Sequence, residues 1–297
     1  MDSGQGGDLS IWEAAIDMYH QDRVVEAWDL ISQLGIGDSG EYVRWYRVIE
    51  AEAVSRKGSQ TLKLASWLTF EFVPREVLSL QKSLSKRALA ACNRIAVRLA
   101  WSHGPPTRIS ILAEEADAPW AVFPYGYCVS KEPYEKICLP SYLADDPADF
   151  NRAVAHEYAH VIVSELSGGH APRWLEESVA VLAEEDPSPA DTGTILEHWK
   201  DPDQLELALE SRQIEDSPED EVWYAYQQCG WIGRYLSNSG KDRGIRELLC
   251  AHQDEGMWTN LSLRLRGLDR VEGALRQTYR ISVDQLFDAA KEYVASA

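Results

Sequence analysis

Residues 146–160 read DPADFNRAVAHEYAH, and the interpretation of the whole chain depends on this stretch. It opens with Asp146-Pro147, a typical helix start, because aspartate caps the free N–H groups of a first turn and proline suits the first helical position. The helix is expected to end at Gly168-Gly169. The stretch therefore predicts a helix of about twenty residues with an apolar stripe that packs inward.

The same helix carries two histidines four residues apart, His156 and His160. Positions i and i+4 share a face, so both imidazoles are expected to point at one place. Zinc binds imidazole nitrogens, and a catalytic site needs a third protein ligand while water keeps the fourth position. A second helix, PRWLEESVAVLAEED, is predicted to begin at Pro172 and to supply Glu177 as that ligand. One zinc ion per chain is the cofactor that this pattern predicts.

Glu157, beside the first histidine, is predicted to move protons instead of binding metal. It would take a proton from metal-activated water and pass it to the leaving amine. The plain alternative is a helix that contains HExxH by chance. The helix caps, a sheet predicted just before the helix and the well-placed Glu177 argue against chance.

The rest of the chain predicts an α+β fold, with a small mixed β-sheet followed by a mostly helical half. Residues 9–63 show helical periodicity and are interpreted as helical hairpins, either simply packed on the main domain or repeat-like and peptide-binding. A helix is predicted from Lys86 to Trp101. Strands are predicted where aromatic and β-branched residues cluster, at SWLTFEFVP (66–74), RISILAEE (108–115), PWAVFPYGYC (119–128) and EKICLP (135–140). The predicted domains are a helical segment, 1–64, and a main domain, 65–297.

Composition narrows the choice of partners. The 297 residues include 48 acidic and 29 basic side chains, a formal net charge of −19. Such a surface repels nucleic acid and anionic membranes, so neither is expected as a partner. No secretory signal is recognisable in MDSGQGGDLSIWEAA and the apolar runs are too short to span a bilayer, so a cytoplasmic location is expected.

Cysteine usage is consistent with a cytoplasmic location. The five cysteines are scattered and form no CxxC pair, which predicts buried thiols. Cys128 and Cys138 flank a predicted turn, and a hairpin that brings them face to face remains an alternative.

HEYAHVIVSEL followed by APRWLEESVAVL resembles the gluzincin metallopeptidases, in particular their peptidase MA-like domain, which carries HExxH and then W-L-x-E-G-x-A. The resemblance covers about residues 65–297. It implies a zincin-like fold, cleavage of peptide bonds, Glu157 as the base and His156, His160 and Glu177 as zinc ligands. It also implies that Tyr226 stabilises the oxyanion of the tetrahedral intermediate, with Tyr224 two positions earlier as the competing assignment.

Two departures from that pattern keep a second function open. Ser178 stands where the family has glycine, which would crowd the floor of the site, and Val181 stands where thermolysin-like relatives have an acidic residue. The alternative is a catalytically idle, zinc-stabilised scaffold that binds a protein partner through its N-terminal helices. The motif GAMEN of the aminopeptidases is absent, so amino-terminal specificity is not predicted.

Two further residues are predicted to contact a peptide or protein substrate. His170 comes too late in the sequence to serve as a third histidine ligand and is interpreted as a loop residue near the cleft. Gly126, in the third predicted strand, would let an extended substrate approach a sheet edge, although a bulge is the plain explanation.

Overall fold

The computed structural model describes residues 5–34, 40–72, 78–102, 104–112, 126–129, 134–185, 192–211, 219–253 and 270–297. These residues form a mostly helical α+β structure with one small mixed sheet, as the sequence predicted. The chain divides into two compact units. The first combines Met1–Ala90 with Pro105–Val154, and the second combines Ala91–Gly104 with Ala155–Ala297. The predicted boundary after residue 64 stays a prediction.

The first unit begins with three helices, α1 (Gln5–His20), α2 (Val24–Ile31) and α3 (Gly40–Arg56), which agree with the predicted helical hairpins. Their apolar faces pack together, and Tyr19, Ala27 and Ile49 are fully buried there. The helical interpretation extended too far, because Gln60–Lys63 form strand β1. All four residues of this strand are exposed, so its strand conformation comes from pairing with β2 and not from an amphipathic pattern.

Five strands form the sheet: β1, β2 (Leu68–Phe72), β3 (Thr107–Leu112), β4 (Tyr127–Val129) and β5 (Glu135–Pro140). Their order is β1-β2-β3-β5-β4, with parallel pairing of β2, β3 and β5 and antiparallel pairing of the two outer strands. The inner strands are almost wholly buried, as parallel strands usually are. Three strand predictions are thus confirmed. Most of the fourth, at 119–128, lies outside the described residues, and its end forms β4.

The register of β4 and β5 excludes a bridge between Cys128 and Cys138. Cys138 lies opposite Tyr127, and Cys128 lies opposite Ile137. Neighbouring residues of a strand point to opposite faces, so the two thiols point away from each other. All five cysteines are free, and Cys92, Cys138 and Cys229 are buried as predicted, whereas Cys128 and Cys250 are only partly buried.

A buried polar cluster joins the helices of the first unit to its sheet. The carboxylate of Glu52, only 1% exposed, is 2.8 Å from Lys136 Nζ and accepts hydrogen bonds from Tyr19 Oη at 3.0 Å and Cys138 Sγ at 2.8 Å. Burial alone would raise the pKa of Glu52, but Lys136 and Arg56 outweigh burial and lower it. Glu52 is therefore a buried, paired carboxylate at the contact of α1, α3 and β5.

The second unit is built from helices. Two of them, α4 (Leu78–Arg98) and α5 (Pro147–Ser167), begin in the first unit, and a short 3-10 turn at Ser141–Ala144 precedes α5. Among the described residues, none of the helices is long and apolar enough to cross a membrane. The remaining helices are α6 (Arg173–Glu184), α7 (Thr192–Glu197), α8 (Pro202–Ser211), α9 (Glu219–Cys250), α10 (Arg270–Thr278) and α11 (Val283–Ala295).

Helix α5 has both of its predicted ends. Asp146 Oδ1 accepts the backbone N–H of Ala148 at 2.6 Å and of Asp149 at 3.2 Å, which caps the first turn. At the other end Gly168 and Gly169 have φ of +63° and +73°, a left-handed conformation that glycine adopts without strain. The chain therefore reverses immediately after α5 and leads into α6.

Candidate metal centre

The start of α6 is fixed by a residue from another helix. Pro172 at the N-cap has no side chain that could accept a hydrogen bond, so the first N–H groups need another acceptor. The carboxylate of Glu206, in α8, accepts the N–H of Arg173 at 2.8 Å and of Trp174 at 3.0 Å. A negative group at this end also opposes the positive end of the helix dipole. The first residue of α6 is thus fixed, and this determines which direction Glu177 and the later glutamates of the helix face.

Helix α9 packs very closely on α6. A Cβ atom added at Gly233 would lie only 2.3 Å from the carbonyl oxygen of Ser178, and one at Gly230 would lie 2.8 Å from a methyl carbon of Val181. Both positions therefore require glycine. A larger residue at either one would push the backbones of α6 and α9 apart. This approach positions the first half of α9, including Tyr226, beside α5 and α6.

Three potential ligand atoms meet between α5 and α6. His156 Nε2 and His160 Nε2 are 3.2 Å apart, and Glu177 Oε2 is 3.4 Å from the first and 3.6 Å from the second. A tetrahedral zinc ion with bonds of about 2.0 to 2.1 Å separates its ligand atoms by about 3.4 Å. The triangle therefore has the size of one face of a zinc tetrahedron, and its two imidazoles and one carboxylate are a donor set that zinc uses.

The carboxylate of Glu177 is arranged to present one oxygen to this triangle. The side chain is 1% exposed, and its Oε1 lies 3.0 Å from Arg173 Nη2, one helical turn earlier. Its Oε2 is buried and has no hydrogen-bond partner. A buried carboxylate oxygen without a partner is costly unless a cation binds it. Oε2 makes no hydrogen bond, and the imidazole nitrogens nearest to it are 3.4 and 3.6 Å away, so a metal ion at this point would give this oxygen a ligand bond.

His156 is oriented by a second carboxylate of α6 that the sequence analysis missed. Its Nδ1 lies 2.7 Å from Glu184 Oε1 and donates its proton there, so Nε2 is the nitrogen that would bind a metal after losing its own proton. The pattern of thermolysin-like proteins predicts an acidic residue at the position of Val181, four residues after Glu177. Glu184 is seven positions after Glu177, two turns along the same face, and that spacing was the available signal.

The charges of the cluster shift the pKa values of its members. Burial alone would lower the pKa of His156, but the carboxylates of Glu177 and Glu184 outweigh burial and raise it well above the usual range. Burial would likewise raise the pKa of Glu177, yet the two imidazoles hold it well below that of an ordinary glutamate. The metal-free cluster therefore combines a stabilised imidazolium with a stabilised carboxylate.

Glu157 is buried beside the triangle without being part of it. It is 6% exposed and contributes no atom to the group of three ligands. Burial raises the pKa of Glu157, and the positive charges of His156 and His160 offset only part of that rise. A carboxylate with a raised pKa is a stronger base, which is the property that the predicted role requires.

Ser178 does not project toward the triangle. It is fully buried, its hydroxyl donates to the carbonyl of Trp174 at 2.7 Å, and its backbone faces Gly233 of α9. The expectation that this serine crowds the floor of the site is therefore wrong. On a helix the residue after Glu177 is rotated by about 100°, which turns it to the packed side of α6.

The two candidate tyrosines lie in different environments. The ring of Tyr226 is 6.4 Å from that of His156, measured between centroids. Tyr224 instead stacks on His198, with centroids 4.0 Å apart and planes 3° from parallel. Of the two, Tyr226 is the residue beside the histidines.

The two predicted substrate contacts, His170 and Gly126, lie in different units of the chain. His170 is exposed in the turn after α5, and its ring is not one of the three grouped ligands. Gly126 is in the first unit, directly before edge strand β4, with a φ of +131° that favours glycine. Both assignments stay predictions.

The chain matches no protein-family model, and its sequence has no significant match among curated proteins.

Proposed function

We propose that this protein is a zinc-dependent hydrolase of the gluzincin type, with a zincin-like fold, that cleaves peptide bonds in a peptide or protein substrate. One observation carries the proposal: His156, His160 and Glu177 form a triangle of zinc-site dimensions, and the Glu157 carboxylate is buried beside it. A purely structural zinc site has no use for Glu157. The mixed sheet before α5 and the reversal into α6 also agree with the resemblance to this family.

Each residue has a separate role in the proposed reaction. When bound, a zinc ion would supply the Lewis acidity that polarises a carbonyl group and would lower the pKa of water toward about 7. Glu157 accepts a proton from the attacking water and then donates it to the leaving nitrogen as the C–N bond breaks. His156, His160 and Glu177 would hold the ion; the contact of Glu184 with His156 Nδ1 would orient Nε2 toward it, and the contact of Arg173 with Glu177 Oε1 would orient Oε2.

Tyr226 is assigned to the developing negative charge. Its ring lies beside His156, and its hydroxyl is proposed to donate a hydrogen bond to the carbonyl oxygen as that oxygen becomes an anion. Tyr224 is excluded from this role in the proposal because its ring is stacked against His198.

The scaffold alternative loses the two features that motivated it. Ser178 is turned toward α9, and Glu184 supplies the acidic contact that was thought to be missing. The N-terminal helices, proposed there to bind a partner, bury Tyr19 and Glu52 against Lys136 and Cys138 of the sheet. No described feature therefore favours the scaffold over the hydrolase.

The test compares two identical substitutions on α5. Zinc-loaded wild-type protein is expected to cleave members of a diverse peptide library, and a chelator should stop it. Glu157→Gln should reduce cleavage at least about 100-fold while the protein still binds one zinc ion. Glu165→Gln, an exposed position on the same helix, is the matched control and should cleave normally.

Two results would contradict the proposal. Unchanged cleavage by Glu157→Gln would exclude this base. Failure of the wild type to cut any peptide, with a lower melting temperature after chelation, would favour the zinc-stabilised scaffold.

A further inference from the structure

A second concave surface lies at the carboxyl end of α6, within the second unit. It is an open cleft of about 590 Å³ between the last turns of α4, the end of α6 and the middle of α9. None of the proposed zinc ligands, nor Glu157 or Tyr226, lines it. Its volume is in the range of about 300 to 1,000 Å³ that is usual for small-molecule sites.

The charge of this cleft is opposite to that of the chain. Of the residues that the structure describes, three arginines line it, Arg94, Arg98 and Arg234, and Glu185 is the one acidic residue among them. The chain as a whole has a net charge of −19. Basic side chains that converge in a concave surface of an acidic protein attract anions locally while the rest of the surface repels them.

Each of the three guanidinium groups has a neighbouring group that it contacts. Arg98 Nη1 donates to the carbonyl of Leu182 at 2.8 Å, and Arg94 Nε lies 3.4 Å from the carboxylate of Glu185. The guanidinium carbon of Arg234 is 5.0 Å from the centre of the Trp231 ring. Side chains that are already positioned lose less conformational freedom when a ligand binds.

We propose that this cleft binds a small organic anion that carries two or more carboxylate or phosphate groups. A guanidinium presents N–H donors in a planar fork that matches either group, and its hydrogen bonds to an anion are charge-assisted. Val97, which is 80% exposed, supplies an apolar surface for the carbon skeleton of such a ligand. The Glu185 carboxylate would weaken binding of this anion, because it has the same charge and already pairs with Arg94. This proposal does not depend on the hydrolase activity.

The test is calorimetric titration of the full chain with two probes, tricarballylate for carboxylates and inorganic pyrophosphate for phosphates. Because both probes also bind zinc, the protein is first freed of metal with a chelator and dialysed. Saturable one-to-one binding of at least one probe is expected, and the probe that binds more tightly identifies the preferred group. Arg94→Gln and Arg234→Gln should each weaken binding about tenfold. Arg98 is left unchanged because it also holds the end of α6.

Two further variants make the result specific. Glu185→Gln should strengthen binding, because it removes the repelling carboxylate. Arg152→Gln, which removes an arginine outside the cleft, should leave the affinity unchanged. The proposal is overturned if neither probe binds, if Arg152→Gln weakens binding as much as Arg94→Gln, or if both cleft arginine variants bind like the wild type. Loss of binding in His160→Ala would also overturn it, since the probe would then be held at the zinc ligands.

Discussion

His156 Nδ1 and Glu184 Oε1 lie 2.7 Å apart, and this contact joins a proposed zinc ligand on α5 to the last turn of α6. The hydrogen bond engages Nδ1, so Nε2 is the nitrogen that would bind a metal once it is deprotonated. It also ties His156 to the helix that supplies Glu177. Helix α6 thus has two roles in the proposed site. Glu177 is proposed to bind the ion, and Glu184 orients His156, which is also proposed to bind it.

Glu184→Gln is expected to weaken zinc binding about 10- to 100-fold, because an amide is a poorer acceptor for the Nδ1 proton and orients the ring less firmly. Competition with a chromophoric chelator measures the change. Glu185→Gln, at the next position but paired with Arg94, is the control and should bind zinc like the wild type. Equal affinities in all three proteins would mean that the contact does not support the ion.

Zinc binding near pH 7 is expected to release about one proton, because the raised pKa of His156 keeps its imidazole protonated in the metal-free protein. Zinc affinity should therefore increase as the pH rises, and this dependence should end once the pH exceeds that pKa. Calorimetry in buffers of different ionisation enthalpy counts the proton. Glu184→Gln removes one cause of the raised pKa of His156, so this variant should release fewer protons when zinc binds. Release of no proton at neutral pH from the wild type would refute the prediction.

The same pKa shifts make the folding stability of the metal-free protein depend on pH. The folded-state pKa of His156 is raised, so its contribution to stability is complete below the unfolded value of about 6.5 and disappears as the pH rises through the folded value. The pKa of Glu177 is lowered, so its contribution is present above about 4.3 and disappears as the pH falls through the folded value. Urea unfolding of the chelated protein across this range measures both contributions.

Tyr226→Phe is expected to lower kcat about 100-fold or more, since an oxyanion loses one donor, and to leave zinc affinity unchanged. Tyr224→Phe is the matched substitution two positions away and should have little effect on kcat. Steady-state rates on a peptide that the wild type cleaves, with a zinc titration of each variant, test this. If Tyr224→Phe were the slower enzyme, the assignment would have to be exchanged.

Ser178→Gly, which restores the residue of the gluzincin pattern, is expected to leave cleavage within about twofold and to destabilise the fold by about 1 kcal/mol, the cost of glycine in a helix. The reason is that Ser178 faces α9 and not the cluster. Ser178→Ala should retain stability better, because it keeps Cβ. A marked gain of activity in Ser178→Gly would show that the serine does obstruct the site.

Lys136→Met is expected to destabilise the protein by about 3 to 5 kcal/mol, because it leaves the buried carboxylate of Glu52 without its cation. Adding Glu52→Gln removes the unpaired charge and should restore much of the loss. The free energies of unfolding of both single variants and the double variant in urea give the coupling. If the destabilisation of the double variant equalled the sum of the two single variants, Glu52 and Lys136 would not form a buried ion pair.

Several local features were predictable from short stretches of sequence. Asp146 caps α5 and Gly168 ends it because a capping carboxylate and a left-handed glycine act on the nearest few residues. The i, i+4 spacing placed His156 and His160 together for the same reason, and runs of β-branched and aromatic residues located β2, β3 and β5. Strand β1 was missed, since its exposed residues become a strand only by pairing with β2.

The roles within α6 required the tertiary structure. Its sequence contains the carboxylates of Glu176, Glu177 and Glu184, followed by Glu185 at its C-cap, and helical spacing alone places Glu177 and Glu184 on one face. Which face meets α5 depends on where α6 begins, set by Glu206 of α8, and on how closely α9 approaches at Gly233. Sequence alone predicted that His156 and His160 share one face of a helix and named Glu157 and Glu177 as candidate base and third ligand, because helical periodicity is local. The contact of Glu184 with His156 was decided by the packing of helices distant in sequence, which periodicity cannot specify.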